Sequence, residues 1–203
     1  MHTMNQAARS RSSDTRQHIL STAQTIILGK GFAAVGLNEI LKTAGVPKGS
    51  FYHYFDSKEH FGSALLENYF DQYMLLLDEK LRNDGASAVE RILRFFGNWK
   101  NSQCNDTTTD KCLVVKISGE VTDLSETMRL ALKQGTNRII NRLADCVQEA
   151  IDNKEIEIDG DAQTVTEEIY YLWIGATLLT KVNRDHSALE VAMNALHARL
   201  NLP

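Results

Sequence analysis

Between Leu37 and Phe55 two short helical segments flank Gly45-Val46-Pro47, and neither segment can stand alone. A helix this short is marginal in water, so both must be held by packing on each other and on their neighbours. Ile40, Leu41, Val46, Phe51 and Phe55 are the apolar residues available for that core. Phe51 and Phe55, four apart, share one helix face, which turns Ser50, His53 and Tyr54 outward. A helix, a glycine turn and a second helix with hydroxyls and an imidazole on its open face form the layout that enters a DNA major groove. Lys48 and Lys58 bracket the second helix with positive charge.

The rest of the chain reads as helix. Its prolines stand at Pro47 and Pro203, so nothing else removes a backbone donor from a helix interior. The expected fold is all-α. A first helix should open at the polar Ser13-Asp14, carry Ile19, Ala23, Ile26 and Ile27 at helical spacing, and end at Gly29-Lys30-Gly31. The second helix fits Leu37 to Ala44, with Gly36 at the cap and Glu39 placed to reach back to the open backbone donors. The third runs from Lys48 to about Phe55. Asp56-Ser57 then opens a long helix bearing Phe61, Leu65, Leu66, Tyr69, Tyr73 and Leu76, and a linker is expected at Asn83-Asp84-Gly85.

Further helices are expected at about 86–103, 111–120, 124–153, 161–183 and 186–200. Met128, Leu132, Gly135, Ile139, Arg142, Cys146 and Ala150 form one stripe, and Val165, Ile169, Leu172, Ala176 and Leu179 another. Ala188, Ala192 and Ala195 are spaced for close helix contact in the last helix, and two such helices commonly pack against a symmetry mate. The expected organisation is a disordered arm over 1–13, a three-helix helix-turn-helix domain over 14–60 and a helical sensing and dimerisation domain over 61–203.

Charge supports that division. The 203-residue chain carries a formal net charge of -4, yet its first sixty residues hold seven Lys or Arg against four acids, or +3. The totals of 22 bases and 26 acids leave 15 against 22, or -7, for the remainder. A basic head on an acidic body suits a nucleic-acid reader. Three cysteines (Cys104, Cys112, Cys146) cannot all pair with one another and follow no apolar leader, which points to a reduced, cytoplasmic protein. No stretch approaches the roughly 20 apolar residues of a bilayer span. Cys112 has no histidine near it in sequence, and neither a glycine-rich phosphate loop nor a metal-ligand spacing occurs. An enzyme, a bound metal and a cofactor are therefore not expected.

The run Gly45-Val46-Pro47-Lys48-Gly49-Ser50-Phe51-Tyr52-His53-Tyr54-Phe55, continuing to Ser57-Lys58-Glu59, resembles the TetR family of transcriptional repressors over roughly residues 14 to 70. Gly36 departs from it, standing where that family usually has Ser or Thr; glycine tolerates the cap at a cost of a few tenths of a kcal/mol. The resemblance implies a homodimer on a palindromic operator in double-stranded DNA, touched by Asn38, Lys48, Gly49, Ser50, Tyr52, His53, Tyr54 and Lys58. Asn38 and Ser50 suit base edges, whereas Lys58, at a helix start, suits phosphate.

Cys112-Leu113-Val114-Val115-Lys116, with Glu120-Val121 and Asp123-Leu124-Ser125, resembles a smaller subset of that family. That likeness implies a signal acting on a thiol, an electrophile or an oxidant. Cys112 follows Thr107-Thr108-Thr109-Asp110, a cluster able to cap a helix, and has Lys111 beside it and Lys116 one turn on; each favours thiolate. The same cysteine also reads as a small buried residue opening an apolar run. Cys104 is a candidate resolving partner, and Cys146 lies on an apolar stripe. Lys181 either faces the effector site, stabilising thiolate or trapping an oxidised sulfur, or buries its stem with its amine in water. Trp99, Tyr170 and Trp173 either line a small-molecule pocket, for a lipophilic inducer that needs no covalent step, or belong to the core.

Overall fold

Helix is the only regular structure among the described residues, as befits a chain whose prolines stand only at 47 and 203. The structure is a computed structural model that describes residues 2–104 and 112–202, with side chains for 14–103 and 112–202. The helices are α1 (His2–Lys30), α2 (Leu37–Ala44), α3 (Lys48–Tyr54), α4 (Lys58–Lys80), α5 (Ala88–Cys104), α6 (Leu113–Leu124), α7 (Glu126–Asp152), α8 (Ala162–Asn183) and α9 (Ser187–Arg199). They fall into two compact units, Met1–Phe70 with Lys116–Lys133, and Asp71–Val115 with Gln134–Pro203.

Local chemistry ends the short helices where the sequence says it should. Gly45 adopts the left-handed φ of 65° after α2, and the Gly45 and Val46 amides donate back to the carbonyls of Lys42 and Leu41. Pro47, at φ -61°, then starts α3. At the head of α4 the Ser57 hydroxyl accepts from the His60 amide at 3.0 Å while His60 Nδ1 accepts from the Asp56 amide at 3.2 Å, a reciprocal cap. Glu39 does not cap α2 as expected; its carboxylate instead takes the Lys30 ammonium at 2.5 Å, an ion pair that tethers α2 to α1.

The first unit is held by a phenylalanine cluster. Phe51, Phe55 and Phe61 are fully buried with ring centroids 5.1 to 5.4 Å apart, and Ile19, Leu20, Ile40 and Leu41 close around them. Each buried phenyl contributes about 2 kcal/mol by area, which compensates for the marginal helices they sit on. His18 Nε2 lies 2.9 Å from the Ala44 carbonyl, an otherwise open group at the end of α2.

In the second unit α8 and α9 pair extensively, with Leu189, Ala192 and Leu196 buried. Asp161 caps α8, accepting from the Thr164 amide at 2.9 Å. Glu155 does the same for α5 from a distance in sequence, accepting from the Ala88 and Val89 amides at 3.2 and 2.9 Å. Arg91 is buried and spends its donors on the carbonyls of Leu81 and Ser87 and on the Glu149 carboxylate.

Four expectations are corrected. α1 begins at His2 rather than at Ser13-Asp14, in a segment that contains no Gly or Pro. The compact units divide inside α4, between Phe70 and Asp71, and not at the Asn83-Gly85 turn, because the tail of α4 packs with the later helices. α6 runs on to Leu124 and is separated from α7 by Ser125 alone, whose hydroxyl accepts from the Met128 amide at 3.4 Å. The stripe read on α8 splits: Val165, Ile169 and Ala176 are buried, but Leu172 and Leu179 lie at its edge and turn outward with Tyr171, Leu178 and Val182.

Candidate nucleic-acid interface and effector site

Burying Phe51 and Phe55 fixes which way α3 faces. Lys48, Gly49, Tyr52 and His53 are exposed, and Ser50 and Tyr54 are half-buried at the edges of the same face. Asn38, in the first turn of α2, and Lys58, in the first turn of α4, are also exposed. The eight residues expected to meet DNA are therefore all accessible and all within the first unit.

Two of the cations are held in place by rings. The Lys58 ammonium lies 5.0 Å from the centre of the Phe32 ring, and Lys48 stands 6.0 Å from that of Tyr52. Arg16, which the sequence did not single out, lies 5.4 Å over Phe55 and braces the C-terminal end of α3. His53 and Tyr54 meet edge to face at 4.9 Å. The open face thus offers hydroxyls, an imidazole, an amide and two ammoniums on a rigid support, a set suited to phosphates and base edges.

In the second unit, Cys112 is half-buried and immediately precedes α6. It lies within electrostatic reach of two phenols. Burial pushes the Tyr73 hydroxyl far above the ordinary tyrosine range, and a negative charge on Cys112 pushes it further. Tyr170 is raised in the same way, first by burial, then by Cys112 and Tyr73. Both phenols are therefore neutral donors. Lys116 is half-buried within α6, and Lys181 is exposed in the last turn of α8. Thr107-Thr108-Thr109-Asp110, Lys111 and the Cys104 side chain lie outside the described residues.

Cys146 has a different environment. It is buried, its thiol points to the Ala88 carbonyl at 3.8 Å, and burial raises its pKa despite the nearby Arg91 charge. A thiol held protonated in this way is a poor nucleophile.

Trp99, Tyr170 and Trp173 come together. Trp99 stands 5.9 Å from Tyr170 and 5.6 Å from Trp173, and Phe96 stacks parallel to Trp99 at 6.1 Å and meets Trp173 at a tilt at 4.8 Å. The two indoles differ in one respect. Trp99 Nε1 donates to the Thr177 hydroxyl at 3.1 Å, whereas the fully buried Trp173 Nε1 has no hydrogen-bond partner among the described residues. Sequence reasoning missed Tyr73 and Phe96 as neighbours of this region, since only tertiary packing brings α4 and α5 to α8. Among the described residues no group of three His, Cys, Asp or Glu side chains is placed to hold a metal, and no helix is long and apolar enough to cross a membrane.

Comparison with known proteins agrees with this geometry. Residues 19–65 match the family described as bacterial regulatory proteins, tetR family, and residues 88–196 match the tetracyclin repressor-like C-terminal domain. The chain is 41% identical over 180 residues to the HTH-type transcriptional repressor NemR of Escherichia coli, covering 89% of this chain and 90% of that protein. It is 33% identical over 169 residues to the transcriptional regulator AcuR of Cereibacter sphaeroides, covering 83% and 74%. The crystal structure of E. coli NemR in its reduced form matches with a TM-score of 0.88 at 39% identity, covering 94% of this chain and 98% of that one.

Proposed function

Because this chain belongs to the TetR family of bacterial regulatory proteins and is a DNA-binding transcriptional repressor, we propose that it binds a palindromic operator as a homodimer and releases it when an electrophile or oxidant modifies Cys112. Asn38, Lys48, Gly49, Ser50, Tyr52, His53, Tyr54 and Lys58 are the proposed DNA contacts. The outward apolar residues of α8, Tyr171, Leu172, Leu178, Leu179 and Val182, together with Val191 of α9, are the proposed face for the second copy.

The observation that carries the sensing half is the position of Cys112, half-buried immediately before α6 and within electrostatic reach of the Tyr73 and Tyr170 phenols. Its thiolate would add to the β-carbon of an unsaturated carbonyl compound, forming a C–S bond as the C=C π bond opens into an enolate, whose α-carbon then takes a proton from water and leaves hydroxide. Lys116 and Lys181 are proposed as the positive charges that favour the thiolate, with the Lys181 amine the candidate trap for an oxidised sulfur. The E. coli NemR crystal structure, described as the reduced form, supports this reading. The test is operator release by Cys112→Ser. Release by the electrophile should require at least tenfold higher doses in the variant, and release at the natural chain's doses would refute the thiol mechanism.

A second reading is favoured by Trp173. Its buried indole N–H has no acceptor among the described residues, a state costly to leave unmade, and a lipophilic ligand carrying a carbonyl or ether oxygen would supply one without covalent chemistry. Under that reading a non-electrophilic carbonyl compound releases the operator from Cys112→Ser and natural protein alike, and Trp173→Phe loses the response.

A further inference from the structure

We propose that Glu120 is the coupling residue between the effector end of α6 and the DNA-binding head. This proposal rests on the reading of the second unit as the sensing unit. Three observations carry it. The boundary between the compact units falls inside α6, between Val115 and Lys116, so one continuous helix belongs to both. That helix begins next to Cys112, and Glu120 lies eight residues on, about 12 Å along the helix axis.

At that point the helix grips the turn between α1 and α2. Glu120 Oε2 accepts from the Ala33 amide at 2.8 Å. Gly31, two residues earlier, has a left-handed φ of 93°, and the Glu120 carboxylate occupies the space a Cβ there would need. The backbone at position 31 calls for glycine, and the absence of a Cβ lets the carboxylate lie against it. Met128, near the start of α7, crowds Gly62 of α4. Its sulfur would stand 2.5 Å from a Cβ at Gly62, and the Phe32 ring tip 2.8 Å from the same point. The Phe32 ring also carries the Lys58 ammonium. Movement of α6 therefore pulls on the turn that orients α2, and through Phe32 on the start of α4, with no need for an effector to approach the head.

An effector-independent perturbation tests this in the full-length protein. Cys112→Trp presses on the start of α6 and is expected to weaken operator binding about tenfold or more, within the usual span of allosteric coupling. In a Glu120→Ala background the same substitution is expected to change affinity less than about twofold, while Glu120→Ala alone stays within about threefold of the natural chain. Glu120→Gln, whose amide oxygen still accepts from Ala33, restores the response. Should Glu120→Ala not fold, Glu120→Met keeps the stem, removes the acceptor and carries the comparison. A full response to Cys112→Trp in the absence of the Glu120 acceptor overturns the proposal, as does no response in the natural background. Release by an electrophile is scored separately: its absence alongside an intact Cys112→Trp effect removes the thiol reading and leaves Glu120 in place.

Discussion

Arg91 and Glu149 meet at 2.5 Å with unequal exposure, the guanidinium 2% and the carboxylate 37% accessible. The two ends of the pair therefore have different alternatives. A carboxylate that loses its partner returns to water, whereas the guanidinium keeps the carbonyls of Leu81 and Ser87 and, as counter-charge, only the Glu155 carboxylate, with which it makes no direct ion pair. Glu149→Leu is expected to cost about 3 kcal/mol. Arg91→Leu, which removes the buried charge and leaves the Leu81 carbonyl only the longer bond from Arg142 at 3.4 Å, is expected to cost about 1–2 kcal/mol. Urea unfolding of both variants checks the order, and the reverse ranking would mean that the Glu149 pairing contributes little.

Acid sensitivity should map in part to Glu155. Burial acts to raise its pKa, but the amides of Val89 and Ala88, the Asn153 side chain and the Arg91 charge together outweigh this and hold it below the usual carboxylate value. A depressed folded-state pKa contributes stability that is present above the unfolded pKa and is lost as pH falls through the folded one. Glu155→Gln is expected to cost about 1 kcal/mol at neutral pH, as lost caps do, and to flatten the stability profile below the ordinary glutamate range. An unchanged acid limb in the variant would remove Glu155 from the account.

Operator affinity should fall steeply with salt, with a log–log slope of about -0.9 per phosphate neutralised. Lys58→Ala is expected to weaken binding to every duplex alike and to reduce that slope by about one, while Asn38→Ala blurs preference at one position in each half-site. Fluorescence anisotropy on an operator and on scrambled duplexes separates the two behaviours. Loss of base preference in Lys58→Ala would reassign its role.

The outward face of α8 should control assembly. Leu178 and Val182, one turn apart and both well exposed in the single chain, are expected in a dimer to be covered. Leu178→Glu with Val182→Glu should yield a monomer by sedimentation, with operator affinity lowered by tenfold or more. A dimer that persists unchanged would place the interface elsewhere.

The DNA-binding head was legible in the sequence because its determinants are local. Gly45 and Pro47 punctuate the chain through backbone geometry alone, and the four-residue spacing of Phe51 and Phe55 decides which side of α3 is left exposed. The expectation of α2 over Leu37–Ala44 matches the observed helix, Gly36 cap included.

The effector end was less legible. Cys112 could be named from its neighbours in the chain, but Tyr73, Tyr170 and the orphan N–H of Trp173 gain meaning only when α4, α5 and α8 pack together. Glu39 illustrates the same limit from the other side, since a capping residue by spacing was claimed by Lys30 across a turn. On α8, periodicity identified apolar residues without saying which would face the core, because Leu172 and Leu179 sit at the edge of the stripe and only the position of α9 and its neighbours decides.

From its residues alone this chain determined helix, turn and the chemistry offered to DNA, all set by steric limits and spacing over a few positions. Tertiary structure alone decided that α6 is shared by both units and that Glu120 closes on Ala33. An acceptor and donor 87 residues apart leave no mark in either local sequence until the fold brings them within 2.8 Å.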